Sequence, residues 1–125
     1  MTETDHIVIA GSGRVGYRVA QHFADRGTDV TVIERDPSVV DEAEADPNIR
    51  SVVGDATKPS VLREALSEET DVIAALTDSE AANLAICLAA TELDPDLRTV
   101  ARIEHTDGDE YTEFVDTVYF PERVI

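Results

Sequence analysis

The chain has 125 residues, of which 42% are hydrophobic, and this length and composition indicate one folded domain rather than a disordered polymer. It carries 27 acidic side chains against 10 basic ones, which gives a formal net charge of −17. This charge disfavours binding to nucleic acid or to an anionic membrane surface, because both of those partners are negatively charged. We expect a single domain over residues 1–125 that binds neither.

Three features of the sequence favour a cytoplasmic location. Residues 1–5 lack the basic and then apolar pattern of a signal peptide. No apolar run approaches the roughly 18 residues that a membrane-spanning helix needs. Cys87 is the single cysteine, so the chain needs no oxidising compartment for an internal disulfide. We therefore expect a cytoplasmic domain that does not insert into the membrane.

The acidic residues are spread along the whole chain, and Lys58 is the only lysine among the basic residues. A charge of this size on a small domain repels itself in dilute buffer. At about 1 M salt the screening length falls to about 3 Å, and most of this repulsion disappears. We therefore expect a halophilic protein that works in a salt-rich cytoplasm.

Short runs rich in β-branched residues alternate with stretches of helical spacing. The runs predict strands at 6–10, 29–34, 49–53, 72–76, 99–103 and 117–120. The stretches predict helices at 14–26, 37–45, from 59, at 79–92, and a weak acidic one at 109–115. This alternation is typical of βαβ units and a parallel sheet. The predicted fold is α/β: one Rossmann-like, doubly wound, six-stranded sheet of order 3-2-1-4-5-6, with helices on both faces.

The turn between the first strand and the first helix has the spacing G-x-G-x-x-G. Its residues are Gly11, Ser12, Gly13, Arg14, Val15 and Gly16. In this context the first glycine permits a tight turn, the second lets the backbone approach a pyrophosphate, and the third lets the helix pack against the strand. Free N–H groups at the helix start favour an anion. We predict a phosphate-binding loop; the alternative is a glycine-rich turn that binds nothing.

Glu34 ends the second predicted strand, 18 residues after Gly16. An acidic residue near this position accepts hydrogen bonds from ribose hydroxyls in dinucleotide-binding folds. Its carboxylate would repel a 2′-phosphate, so NAD or a plain adenine nucleotide is favoured over NADP. Arg35 can instead hold such a phosphate, although we prefer an exposed side chain paired with neighbouring acids.

Polar residues also follow the third and fourth strands, at the edge of a parallel sheet where ligands bind. Asp55 and its neighbouring backbone groups can contact an adenine, Asp55 or Thr57 can cap the third helix, and both can hold together. Thr77 and Glu80 have the spacing of a capping box for the fourth helix, which leaves Asp78 to face the second half of a dinucleotide.

Two arginines need an explanation. Arg102 lies within the fifth strand, where a buried guanidinium requires an acidic partner or a ligand phosphate, and Asp78 is a candidate partner. Arg14 is a cation in the first turn of a helix, which opposes the helix dipole. It can reach a phosphate of the ligand or of a neighbouring subunit, or simply be exposed.

The helix predicted at 79–92 is apolar nearly all round, so we expect it to be covered on both sides. The sheet covers one side, and another subunit is the favoured partner for the other. Asn83 is the lone polar residue in its apolar stretch and needs hydrogen-bond partners. Cys87 is interpreted as a small buried hydrophobic residue.

No catalytic constellation or metal motif emerges from the sequence. His6, His22 and His105 do not have the spacing of a metal site such as H-E-x-x-H. The acidic segment at 104–110 lacks the ligand order of an EF-hand and is interpreted as a solvated loop. We therefore predict no catalytic residues and no metal.

Several motifs together resemble a known family, the RCK N-terminal (TrkA-N) domain. They are Gly-Ser-Gly-Arg-Val-Gly at 11–16, Val-Ile-Glu-Arg-Asp at 32–36, Gly-Asp-Ala-Thr at 54–57, Thr-Asp-Ser-Glu-Ala-Ala-Asn-Leu at 77–84, Val-Ala-Arg-Ile at 100–103 and Phe-Pro-Glu-Arg at 120–123. The first motif is shared with many Rossmann proteins, whereas Gly-Asp-Ala-Thr followed by Thr-Asp-x-x-x-x-Asn is much more specific.

The resemblance implies a non-enzymatic domain that binds NAD or NADH, or ATP or ADP, and regulates potassium channels and transporters. It implies pairing through the face of the helix at 79–92, and dimers or rings beneath a membrane potassium transport subunit whose shape changes with the nucleotide. It places Gly11, Gly13, Gly16 and Arg14 at phosphates, Glu34 at the ribose, Asp55 and Ala56 on the adenine side, and Thr77, Asp78 and Arg102 in the far half of the crevice.

The family usually continues into a second, ligand-binding domain, whereas this chain ends at Ile125. It is therefore either an excised domain or a short stand-alone form. The main functional hypothesis is a nucleotide sensor for potassium transport. The alternatives are the cofactor-binding half of an NAD-dependent oxidoreductase, which the lack of a substrate domain or catalytic acid disfavours, and an interaction domain without a ligand.

Overall fold

The computed structural model describes residues 5–11, 13–42, 46–104 and 115–119. The strands in these ranges are β1 His6–Ala10, β2 Asp29–Glu34, β3 Ile49–Val53, β4 Val72–Ala75, β5 Arg98–Arg102 and β6 Thr117–Tyr119. The helices are α1 Gly13–Ala24, α2 Pro37–Glu42, α3 Pro59–Ala65 and α4 Glu80–Leu93. The six predicted strands are therefore confirmed, with ends that differ by one residue at β4 and β5, and the last residue predicted for β6, residue 120, lies outside the described residues.

The helices differ from the prediction mainly at their ends. α1 ends at Ala24 rather than at 26, because the N–H of Gly27 turns back to the carbonyl of Ala24 at 3.0 Å and Gly27 adopts a φ of +86°. Glycine with a positive φ commonly ends a helix, so the predicted role of Gly27 as the C-terminal cap is confirmed. Residues 43–45 of the second predicted helix and 109–114 of the fifth lie outside the described residues.

The six strands form one parallel sheet in the order β3-β2-β1-β4-β5-β6, as predicted. The strand order reverses between β1 and β4, where Ala10 at the end of β1 pairs with Ala75 at the end of β4. Helices on opposite faces diverge at such a reversal and leave a crevice beyond the carboxyl ends of the strands. The topology therefore places a crevice at the start of α1.

Apolar residues bury both faces of the sheet, and β1 shows how. Val8 and Ala10 point into a cluster with residues of α3 and α4, whereas Ile7 and Ile9 point into a second cluster with residues of α1. Val8 and Ile9 are fully buried. Continuous apolar strands covered on both faces are what a doubly wound parallel sheet requires.

Neither the alternative cap of α3 by Asp55 or Thr57 nor the capping box predicted for α4 is found. The residue that precedes α3 is Lys58, without a side-chain cap, because the Asp55 carboxylate instead binds the N–H and hydroxyl of Thr57. The cap of α4 is Ser79, whose hydroxyl accepts from the N–H of Ala82 at 3.1 Å. Thr77 lies too far from the helix start to cap it and bonds elsewhere.

Cys87 lies in the core, as expected for a small apolar residue. It is fully buried, and its Sγ lies 3.7 Å from the carbonyl oxygen of Val100. Burial raises the pKa of its thiol to about 12, with a smaller contribution from the Asp116 carboxylate. The thiol is therefore protonated and packs as an apolar group. Across the described ranges, no helix combines the length and the apolar character that crossing a membrane requires.

Candidate functional site

A groove of about 510 Å³ opens at the carboxyl ends of the strands, at the predicted crevice. Ten of the residues singled out from the sequence line it: Gly11, Gly13, Val15, Glu34, Arg35, Asp55, Ala56, Thr77, Asp78 and Arg102. Arg14 and Gly16 are not among its lining residues, and Ser12 lies outside the described part of the chain. The fold thus gathers the ends of five strands around one groove.

The glycine loop has the backbone that its sequence predicts. Gly11 and Gly13 adopt φ values of +84° and +54°, which side chains disfavour. A Cβ on Gly11 would collide with the methyl group of Thr77, and one on Gly16 would collide with the carbonyl oxygen of Gly11. A Cβ on Gly13 would meet nothing within 4 Å. Gly11 and Gly16 therefore allow close packing, whereas Gly13 faces open space at the start of α1.

Glu34 is a buried carboxylate in the wall of the groove, with 8% of its surface exposed. Its Oε1 accepts a hydrogen bond from the N–H of Gly13 at 3.1 Å, and its Oε2 accepts one from the N–H of Asp36 at 2.9 Å. A buried charge needs such partners, because water no longer solvates it. These two bonds hold the carboxylate at the end of β2, directly beside the glycine loop.

The loop after β3 forms the wall next to Glu34. Asp55 accepts hydrogen bonds from the N–H of Thr57 at 2.9 Å and from its hydroxyl at 2.6 Å. These bonds lower the pKa of the Asp55 carboxyl, and the positive charges of Arg35 and Lys58 add to the effect. Asp55 therefore carries a negative charge at the groove, held by its own loop.

The buried side-chain amide of Asn83 joins the residues that line the far half of the groove, at the ends of β4 and β5. Asn83 on α4 is 1% exposed. Its Oδ1 accepts from the N–H of Thr77 at 2.9 Å and from the hydroxyl of Thr77 at 2.6 Å. Its Nδ2 donates to the carbonyls of Thr77 at 3.0 Å and of Arg102 at 2.9 Å. The predicted need of Asn83 for partners is thus met by the ends of β4 and β5.

The partner of Arg102 differs from the predicted one. Its Nη2 lies 2.7 Å from Oε1 of Glu104, so the acidic partner is Glu104 rather than the candidate Asp78. Glu104 lies two residues further along the same chain, where the side chains of alternate residues of an extended segment share a face. Asp78 lines the groove and is exposed.

Six lining residues escaped the sequence-based site: Ile33, Gly54, Thr57, Ser79, Ala82 and Ile86. Ala82 and Ile86 are four residues apart and share one face of α4. The first turns of that face line the groove. The spacing i, i+4 at the start of a helix after a strand end was the signal that could have found them.

The described residues include no group of three histidine, cysteine or acidic side chains that could hold a metal ion. His6 lies at the opposite, amino-terminal end of the strands, where its ring nitrogens lie 2.7 Å from Oγ1 of Thr70 and 2.8 Å from Oγ1 of Thr31. His105 and most of the acidic segment at 104–110 fall in an undescribed range.

The sequence matches the family model of the TrkA-N domain over residues 7–121, nearly the whole chain. The chain belongs to the TrkA-N domain family. The resemblance seen in the sequence motifs is thus confirmed.

Relatives of this TrkA-N domain are named for potassium transport. It is 35% identical over 101 residues to potassium channel protein 1 of Methanocaldococcus jannaschii, covering 80% of this chain and 30% of that protein. It is 32% identical over 126 residues to a homologue of the Trk system potassium uptake protein TrkA from Pyrococcus horikoshii, covering 95% of this chain and 55% of that one. The TrkA-N domain therefore spans about a third to about half of the length of these relatives.

Solved structures share the fold. The TrkA-N domain of the inner membrane protein ybaL from Escherichia coli superposes with a TM-score of 0.83 at 25% identity, covering 98% of this chain and 92% of that one. The structure of GsuK bound to ADP gives a TM-score of 0.74 at 27% identity and covers 95% of this chain and 31% of that one.

Proposed function

We propose that this TrkA-N domain is a nucleotide-binding regulatory domain of a potassium channel or transporter. Its relatives are named as a potassium channel protein and a potassium uptake protein, and GsuK is described with ADP bound. The ligand is NAD or NADH, with ATP or ADP as the alternative. These relatives favour such a sensor over the cofactor-binding half of an NAD-dependent oxidoreductase, and we assign no enzymatic activity.

The observation that carries this proposal is the pairing of a buried carboxylate with the glycine loop. Glu34 lies within hydrogen-bond distance of the Gly13 N–H, and the space in front of Gly13 is open. A phosphate needs close approach to backbone N–H groups at a helix start, and a ribose needs an acceptor for its hydroxyls. Gly13 allows a phosphate to approach the start of α1, because a Cβ there would meet nothing within 4 Å, while its own N–H is bonded to Glu34. Each Glu34 oxygen keeps a lone pair for a ribose hydroxyl beside the N–H that it already accepts from. The residues present therefore fit an adenine nucleotide.

The other residues that line the groove belong to two ends, one for each end of the ligand. The loop at Asp55 and Ala56 lies on the adenine side, whereas Thr77, Asp78 and Arg102 lie on the side beyond the two phosphates that face the glycine loop. The buried Glu34 carboxylate would repel a 2′-phosphate, which disfavours NADP and NADPH. Arg35 is exposed at the groove, and its positive charge helps to lower the pKa of Asp55.

Regulation needs a second surface that responds to the ligand. Binding changes an assembly only when the ligand has different affinities for its two states. α4 borders the groove through Ala82 and Ile86, and on its outer side Leu88 is 46% exposed. We infer that this outer face pairs with a second copy of the chain. The resulting dimer or ring acts on a membrane potassium transport subunit.

Calorimetric titration of the chain with NAD, NADH, ATP, ADP and NADPH in molar KCl tests this proposal. We expect at least one of the first four to bind, and NADPH to bind more weakly than NADH. Tightest binding of NADPH would overturn the role of Glu34. An absence of binding by all five would overturn the proposed function.

A further inference from the structure

The Arg102 guanidinium is incompletely paired. Its Nη2 bonds Glu104 at 2.7 Å, but its Nε is buried and has no hydrogen-bond partner within the described part of the chain. A buried donor without a partner carries the full cost of its lost hydration. Arg102 lines the groove and its side chain is 26% exposed, so a ligand for which the guanidinium turns can supply the partner that Nε lacks.

The backbone of Arg102 is held in place independently of this pair. Its carbonyl accepts a hydrogen bond from Nδ2 of the buried Asn83 at 2.9 Å. Arg102 is the last residue of β5, so sheet pairing and Asn83 both fix where the side chain starts. The guanidinium can exchange partners without movement of the strand.

We propose that Glu104 is an internal competitor of the ligand, whose carboxylate occupies Arg102 until the terminal phosphate of a nucleoside polyphosphate displaces it. The inference rests on the proposed function and adds the ligand class that the far half of the groove selects. The free energy needed to displace Glu104 lowers the affinity of nucleotides whose outermost phosphate reaches Arg102. It does not lower the affinity of ligands without that phosphate.

The geometry explains why a phosphate can displace the Glu104 carboxylate from Arg102. Glu104 contacts the guanidinium through Nη2 and leaves Nε unpaired. A phosphate has three oxygens and can bond Nε and an Nη group side by side, as arginine–phosphate pairs commonly do. The exchange therefore gains one hydrogen bond to a buried donor. Glu104 is partly exposed, with 32% of its side-chain surface accessible, so its released carboxylate can return to water.

Titration of the chain with ATP and with adenosine tests this competition in the wild type, in Glu104→Gln and in Glu68→Gln. The control removes the same charge from an exposed position near the start of β4, at the opposite end of the sheet. We expect Glu104→Gln to bind ATP about two- to fivefold more tightly, the range that a partly exposed ion pair accounts for. Adenosine affinity is expected to stay the same, and Glu68→Gln is expected to behave as the wild type.

In an Arg102→Gln background the gain from Glu104→Gln is expected to vanish. A gain that persists there, or an equal gain in Glu68→Gln, would mean a general charge effect and would overturn the inference. If Arg102→Gln does not fold, the comparison of ATP with adenosine in the two single variants still decides. Failure of the wild type to bind ATP, ADP and NAD contradicts the proposed function itself, whereas ATP binding without a gain in Glu104→Gln contradicts only this inference.

Discussion

Under the proposed function, Glu34 has both a structural role and a ligand-binding role. Its carboxylate is buried, and its two hydrogen bonds join the glycine loop at Gly13 to the turn at Asp36. The same oxygens lie at the groove, where ribose hydroxyls can donate to them. Removal of the carboxylate therefore changes both the loop and the ligand site, and an experiment has to separate the two.

Glu34→Gln is expected to weaken binding of NAD or ATP by about 1–3 kcal/mol, because a hydrogen bond to a charged acceptor is lost and Gly13 keeps only a neutral partner. Calorimetric titration measures this, and urea unfolding without ligand reports the structural part. Glu64→Gln, on the exposed side of α3, is the matched control. Unchanged affinity in a folded Glu34→Gln would contradict the role of Glu34.

The environment of His6 makes the stability of the fold depend on pH. Its ring lies between the hydroxyls of Thr31 and Thr70, which are themselves buried. Burial is the main cause that lowers the pKa of His6, and the positive charge of Arg50 adds to it, against the opposing effects of Asp29, Asp71 and Glu69. The neutral ring is therefore favoured in the folded state.

The sign of the pH dependence follows from this shift. The unfolded chain binds the His6 proton at its ordinary pKa of about 6.5, whereas the folded chain binds it only at lower pH. Folding stability is therefore lost as the pH falls below about 6.5. We expect the free energy of unfolding, measured in urea at about pH 7.5 and about pH 5.5, to fall less in His6→Gln than in the wild type. The exposed His22→Gln is expected to fall as the wild type does, and an equal fall in His6→Gln would contradict the prediction.

Between elements, Asn83 connects α4 to the ends of β4 and β5. Its amide makes four hydrogen bonds, all to Thr77 or to the Arg102 carbonyl. These contacts hold the loop after β4 against the start of α4 and so shape the far half of the groove. Under the proposed function, a ligand that moves Thr77 or Arg102 would therefore also move α4 and its outer face.

Asn83→Ala is expected to destabilise the fold by about 1–3 kcal/mol, because it leaves buried backbone groups of Thr77 and Arg102 without partners. Urea unfolding measures the change. Asn48→Ala, in an exposed turn before β3, is the matched control and is expected to change stability by less than about 0.5 kcal/mol. A loss in Asn83→Ala no larger than that of the control would contradict the role of this network.

For the whole molecule, charge is the dominant property. A net charge of −17 on 125 residues disfavours the compact state at low ionic strength. Salt weakens repulsion between exposed charges separated by more than the screening length, which is about 10 Å at 0.1 M and about 3 Å at 1 M. Folding and the approach of an anionic nucleotide both benefit from such screening.

We therefore expect the melting temperature to rise as KCl increases from about 0.05 M to about 1 M, because repulsion between carboxylates is screened. Thermal melts followed by circular dichroism measure this. The double variant Glu64→Gln and Glu68→Gln removes two exposed charges and is expected to show a smaller rise. A melting temperature that is flat across the salt range would contradict the halophilic interpretation.

The sequence by itself determined the architecture. Alternating apolar runs and helical stretches predicted six parallel strands and their order, because βαβ crossovers follow few topologies. The glycine spacing predicted the loop, since φ values such as those of Gly11 and Gly13 are strained for other residues. Glu34 was found from its distance along the chain, which the length of one βαβ unit sets.

Only the tertiary structure decided which polar groups bond to which. It assigned Arg102 to Glu104 rather than to Asp78, the cap of α4 to Ser79 rather than to Thr77, and the amide of Asn83 to two strand ends. It also placed Ala82 and Ile86, in the first turns of α4, in the lining of the groove. Periodicity reports which face of an element is apolar, whereas a hydrogen bond depends on a few tenths of an ångström between segments far apart in the chain. That distance exists only once the elements have packed.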